Sequence, residues 1–140
     1  MLSALGFISA HQGKVTEKTY TDTLWFLNYS ATHPNATIWY TSSDMLLHIH
    51  SDASYLSEPR ARRCAGGHYF LGDNRPDISD PPTTCPRLND IIQSISRTMY
   101  KVMGSSAKAE IGAAYINSQE AILIRTLLLE LGHPNPATPI

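Results

Sequence analysis

The stretch Met45-Leu46-Leu47-His48-Ile49-His50-Ser51-Asp52 decides the fold. Its side chains alternate, with Met45, Leu47 and Ile49 on one face and Leu46, His48, His50 and Asp52 on the other. Such a period of two is that of a strand with one side buried. The cluster Thr41-Ser42-Ser43-Asp44 before it reads as a turn. The strand therefore ends on an acidic residue that shares a face with two histidines.

Residues 64–71 read as a second strand, in which Gly66-Gly67 marks a bulge or a close approach of another chain segment. Residues 72–89 read as loop, broken by Asp73, Asn74, Pro76, Asp77, Asp80, Pro81, Pro82 and Pro86. Residues 91–102 fit two patterns. Ile91, Ile95, Met99 and Val102 recur as on a helix, while Ile91, Gln93, Ile95, Arg97 and Met99 alternate as on a strand. Residues 105–131 form the longest helical stretch, with Ala109, Ala113 and Ile116 on a stripe that Leu123, Leu127 and Leu131 are expected to continue. Gly132-His133-Pro134 stops it. On the N-terminal side, residues 16–31 read as a helix capped by Thr16, with Tyr20, Leu24, Leu27 and Ala31 in phase and His33-Pro34 at its end. Residues 36–41 contain the β-rich run Ile38-Trp39-Tyr40.

The 140 residues suffice for one domain with a modest core, and 42% apolar residues exclude a disordered tail. Eleven basic against twelve acidic side chains give a formal charge of −1, which excludes a strongly basic nucleic-acid arm but leaves room for a local patch. Charged residues are only 16% of the chain, which points to a face meant for a neighbour. Cys64 and Cys85 are too few for a disulfide framework or a four-ligand zinc site, and read as free thiols of a reducing compartment. No apolar run is long enough to span a membrane, and residues 1–10 lack the basic start of a signal peptide. The expected location is intracellular, cytoplasmic or nuclear, so the sequons at Asn28 and Asn35 read as chance matches.

Asp52, closing a strand, and Glu110, one turn into a helix, are the candidate metal ligands. Hard cations take carboxylate oxygens, and phosphoryl transfer by two metals clamps the attacking and leaving oxygens between ions about 4 Å apart. From spacing alone, a solvated strand-end Asp and a solvated helix Glu explain these residues as well. A longer set carries more. Ala31-Thr32-His33-Pro34, Ser43-Asp44-Met45, His50-Ser51-Asp52-Ala53-Ser54-Tyr55-Leu56, Ala65-Gly66-Gly67-His68-Tyr69-Phe70-Leu71, and Ser105-Ser106 with Ala109-Glu110 together resemble the ribonuclease H region of copia-type retrotransposon polyproteins.

That resemblance implies an α/β, ribonuclease H-like but incomplete fold: an antiparallel three-stranded sheet with flanking helices. Residues 1–41 would be a connection-like segment, and residues 42–140 a truncated ribonuclease H-like domain. The ambiguous residues 91–102 become the third strand by this likeness. Members of the family cut the RNA of an RNA–DNA hybrid with carboxylates that hold Mg²⁺ or Mn²⁺. Asp52 and Glu110 match the first-strand Asp and the helix Glu. A third Asp, in an Asp-Asn pair, and a later fourth would lie beyond Ile140, so metal binding is expected to be weak. The expected partners are an RNA–DNA hybrid and the remainder of the retroelement polyprotein, with no membrane. The alternative is a non-catalytic remnant or an interaction module for protein or nucleic acid. Asp44, Glu58 and Asp73 match no acidic position of the motif.

Lesser candidates surround these two. His48-x-His50 has the spacing of a metal pair, although no other motif supports zinc, and half-buried strand histidines are the simpler reading. Arg60, Arg62 and Arg63 are placed to meet hybrid phosphates, or to solvate a turn. Tyr69-Phe70 reads as core before it reads as a stacking platform. Lys108 stands where the family often has a Glu that would close a capping box with Ser105; it either meets a phosphate or is simply solvated.

Overall fold

A computed structural model describes residues 2–58, 62–73, 88–100, 104–133 and 136–140. The chain divides into two compact units, Met1–Thr37 and Ile38–Ile140. The first holds helix α1 (Leu2–Ala10), a short 3₁₀ turn (Gln12–Lys14) and helix α2 (Glu17–Thr32). Helix α1 falls within residues 1–10, to which sequence reasoning assigned no element. Thr16 caps α2 as expected: its hydroxyl accepts from the Thr19 amide, while the Thr19 hydroxyl accepts from the Thr16 amide. The helix stops at His33, ahead of Pro34.

The second unit is α/β. Strands β1 (Leu46–Glu58), β2 (Arg62–Gly72) and β3 (Leu88–Met99) form an antiparallel sheet in the order β1-β2-β3, and helix α3 (Ser106–Glu130) packs on it. The ambiguous third segment is thus a strand. Met45, just ahead of β1, holds a φ of 59°, unusual for a residue with a side chain. Ile38-Trp39-Tyr40 is not a strand. Instead, the Trp39 amide donates to Asp90 Oδ2 (2.6 Å), the Tyr40 hydroxyl to the Ile91 carbonyl (2.9 Å) and the Thr41 amide to Asn89 Oδ1 (2.7 Å). These bonds tie residues 39–41 to β3, and the unit boundary falls four residues ahead of the expected one.

Alternation along β1 holds in register from Leu46 to Ser54. Leu47 and Ile49 are buried with Tyr69, Ala121 and Leu128, and Met45, Leu71, Ile95 and Ile124 pack around them. A second cluster joins Ala65, Met99, Ala109 and Ala113, with Ala53 and Ile116 beside it. Helix α3 therefore runs antiparallel to β1: its C-terminal half lies over Leu47 and Ile49, its N-terminal half over Ala53. The helix touches the sheet through Ala109, Ala113, Asn117, Ala121 and Leu128, a row with mostly four-residue steps. The expected continuation was wrong: Leu123, Leu127 and Leu131 are 63%, 59% and 72% exposed. Apolar residues surround the C-terminal half of α3 on every side, so periodicity could not select its buried face. The helix ends in a Schellman motif: the Gly132 amide bonds the Leu129 carbonyl, the His133 amide bonds the Leu128 carbonyl (2.9 Å), and Gly132 takes a φ of 84°. No helix among the described residues is long and apolar enough to cross a membrane.

Candidate metal centre

Three contacts set the height of α3 over β1. Ala53 shares a cluster with Ala109 and Ala113, Ser51 Oγ accepts from Asn117 Nδ2 (2.7 Å), and Ile49 packs with Ala121 and Leu128. Asp52 and Glu110 are the immediate neighbours of Ala53 and Ala109, so the structure holds the two candidate segments at one level. Glu110 precedes Asn117 by seven residues, about two helical turns, and stands on nearly the same side of α3, the side that overlooks β1. Asp52 alternates with Ser51 and Ala53 and so takes the opposite face of β1, as the sequence pattern expected. Both acids are exposed. Asp52 Oδ1 accepts from the Ala53 amide at 2.8 Å, which orients the carboxylate.

The donor set is two exposed carboxylates. Oxygen donors of this kind fit a hydrated Mg²⁺ or Mn²⁺, which keeps several of its waters. Among the described residues, no group of three or more His, Cys, Asp or Glu side chains is gathered to hold a metal ion.

No family model, curated protein or solved structure matches the chain.

The edge of β1 is partly covered. The Ile49 amide donates to the Pro139 carbonyl (3.1 Å), which lays the C-terminal residues beside this strand. Arg125 fastens them to α3 by donating to the Pro136 carbonyl (2.6 Å) and to Thr138 Oγ1. In an antiparallel strand, the amide and carbonyl of one residue point to the same side. Ser51 therefore presents both to the edge, as Ile49 does, and Ala53 its carbonyl, its amide being held by Asp52 Oδ1.

The lesser candidates separate. His48 is buried and its Nε2 meets the Asp73 carbonyl (3.3 Å), whereas His50 is exposed and leans on the Phe70 ring, with centroids 4.8 Å apart. They do not form a metal pair. Arg63 is buried, so its guanidinium offers nothing to a phosphate at the surface. Arg60 lies outside the described residues, as do Cys85 and the side chain of Arg62. Tyr69 is core, while Phe70 is half-buried on the other face. The free thiol of Cys64 lies 3.1 Å from Ser96 Oγ. Lys108 is exposed in the first turn of α3, where its amide bonds the Ser105 cap (3.3 Å).

Sequence reasoning missed Asn117. It is fully buried, and its Nδ2 donates to Ser51 Oγ and to the Gly66 carbonyl (2.9 Å). The Tyr69 hydroxyl donates to Asn117 Oδ1 (3.0 Å) and lies 3.2 Å from its carbonyl. Burial is the largest cause that pushes the Tyr69 hydroxyl up to about 12; the charge of Glu120 adds to the rise and that of Arg97 opposes it. Gly67 makes room: a Cβ there would stand 2.1 Å from Asn117 Oδ1. The glycine pair had signalled a close approach, but nothing in the sequence named the partner.

Proposed function

We propose that residues 38–140 are a ribonuclease H-like domain of a copia-type retrotransposon polyprotein, in which Asp52 and Glu110 hold a divalent cation against an RNA–DNA hybrid. The shared level of the Asp52 and Glu110 segments is the observation that carries this reading. Asp52 does not end its strand as expected: β1 continues to Glu58, and Asp52 pairs with Gly66 within it. This mid-strand Asp and the helix Glu, at one height along β1, occupy the two matched positions of the family motif. The seat of the C-terminal residues beside Ile49 agrees with it. Were that segment to run parallel to β1, a continuation of it would pass Ser51 and Ala53, the place where a third carboxylate could join the first two.

When bound, a divalent cation supplies charge stabilisation at the phosphoryl oxygens and a water of lowered pKa. Asp52 offers the carboxylate oxygen not taken by the Ala53 amide, across the rim of β1. Glu110 offers its carboxylate from the side of α3 that overlooks the same rim. Two protein carboxylates hold Mg²⁺ loosely, because the ion gives up its water reluctantly. The 140-residue chain is therefore an inactive or nearly inactive nuclease.

Manganese binding, followed by loss of the free-ion paramagnetic resonance signal, tests this together with cleavage of a labelled RNA–DNA hybrid. The expected outcome is weak Mn²⁺ binding that both Asp52→Asn and Glu110→Gln abolish, with no cleavage by the purified chain. Binding that survives both substitutions would overturn the assignment and leave a non-catalytic interaction module as the better account.

A further inference from the structure

We propose that Asn117 is the positioning residue of the Asp52–Glu110 pair, an inference that rests on the metal-site reading above. The alanines of α3 and the sheet beneath it make a smooth contact. Around Asn117 the contact is made largely by Ala109, Ala113, Ala121, Ala53 and Ala65, whose short side chains fix the helix little, while larger residues such as Leu47, Ile49, Leu128 and Met99 fill the same clusters by non-directional apolar packing. Asn117 interrupts that contact with directional bonds to two strands at once. Its amide nitrogen reaches Ser51 Oγ on β1 (2.7 Å) and the Gly66 carbonyl on β2 (2.9 Å), and its amide oxygen accepts from Tyr69 (3.0 Å). Hydrogen bonds fix distance and angle where apolar contact fixes only burial.

Both ends of this clamp lie next to the site. Ser51 and Gly66 are respectively the chain neighbour and the cross-strand partner of Asp52. Glu110 stands two turns before Asn117 on nearly the same side of the helix. Sliding α3 by one residue would carry Glu110 about 1.5 Å along β1 and swing it by about 100°. The Asn117 bonds oppose that movement. Gly67 completes the device, because any side chain there would occupy the space of the asparagine amide.

The test uses the whole chain and three substitutions. Asn117→Ala removes the clamp, Ser51→Ala removes one of its acceptors and leaves the rest, and Leu128→Ala damages the far end of the same helix–sheet contact. Asn117→Ala is expected to weaken Mn²⁺ binding by about tenfold, the scale seen when residues behind metal ligands are removed. Ser51→Ala should weaken it by a smaller factor. Leu128→Ala should lower the urea midpoint yet leave Mn²⁺ affinity within about twofold.

A second measurement needs no metal. Nitroxides at Asp52→Cys and Glu110→Cys, in a chain carrying Cys64→Ser and Cys85→Ser, should show a distance distribution that broadens with Asn117→Ala or Ser51→Ala but not with Leu128→Ala. If Asn117→Ala does not fold, Ser51→Ala decides. An unchanged distribution in the folded variants, or equal broadening by Leu128→Ala, would overturn the proposal. Loss of the metal-site reading alone would appear differently: Mn²⁺ binding indifferent to Asp52 and Glu110, with the distance still governed by Asn117.

Discussion

Substituting alanine at Gly67 should be among the most damaging single changes this domain can take, while the same change at Gly66 should be nearly silent. A Cβ on Gly67 would lie 2.1 Å from Asn117 Oδ1, 2.8 Å from Cγ and 3.1 Å from Nδ2. Asn117 cannot yield cheaply, because its side chain holds bonds to Ser51, Gly66 and Tyr69. Displacing it breaks these three, each worth about 1 kcal/mol net, and strands buried polar atoms. Alternatively, the strand and helix move apart, at an overpacking cost of about 1–3 kcal/mol. The first route costs about 3–4 kcal/mol and the second about 1–3 kcal/mol, either partly offset by about 0.5–1 kcal/mol because alanine suits a strand better than glycine. At Gly66 the nearest atom to the new Cβ is the Asp52 carbonyl oxygen at 3.8 Å, an ordinary contact. The expected change there lies between no effect and a gain of about 0.4–1 kcal/mol from a stiffer unfolded chain. Urea unfolding followed by far-ultraviolet circular dichroism compares the two. Equal midpoints for Gly67→Ala and Gly66→Ala would refute the close approach of Asn117 to β2.

Lys108→Glu should stabilise the chain by about 0.5–1.5 kcal/mol, since Ser105 already caps α3 and a glutamate three residues on both reaches back to the cap and suits the positive end of the helix; thermal melts at low and high salt read it. Leu128→Ala should cost about 2–5 kcal/mol, but Leu127→Ala, one residue away and exposed, less than about 0.5 kcal/mol, and equal losses would place the buried face of α3 wrongly. Tyr69, held near 12 in the folded chain against about 10 unfolded, contributes stability that is intact below pH 10 and lost as pH rises toward 12. The loss should approach a few kcal/mol and vanish in Tyr69→Phe, as alkaline urea titrations would show.

Much of the second unit was legible in the sequence because β1 keeps a strand's alternation, although its second face is not wholly open, since His48 is buried there. Leu47 and Ile49 alternate with His48 and His50, and that pattern survives in the structure with the expected faces. The caps at Thr16 and Ser105 and the stop at Gly132 were legible for a local reason: each is a bond between residues at most five apart. Residues 91–102 were not settled by their own pattern, since a strand and a helix both explain Ile91, Ile95 and Met99. The resemblance drawn from the sequence expected a strand at residues 91–102, and the structure has one over Leu88–Met99. The buried side of α3 was misread because Ile122, Leu123, Leu127 and Leu129 are as apolar as Ala121 and Leu128, and what orients the helix is a polar side chain. Asn117 could be recognised only with Ser51, Gly66 and Tyr69 around it, all at least 48 residues away in sequence. As for the site, the sequence named Asp52 and Glu110, and the structure brings their segments to one level without merging them into a three-group cluster.

The Pro139 carbonyl bonded to the Ile49 amide has a consequence for the order in which the protein is made. Residue 139 leaves the ribosome ninety residues after residue 49. At about 5–20 residues per second, the outward amides and carbonyls of β1 wait roughly 5–20 seconds for that cover. During the wait β1 is a bare template to which any extended chain nearby can add itself. Crowded translation of this message should therefore lose more protein to aggregates than refolding of the finished chain at the same concentration.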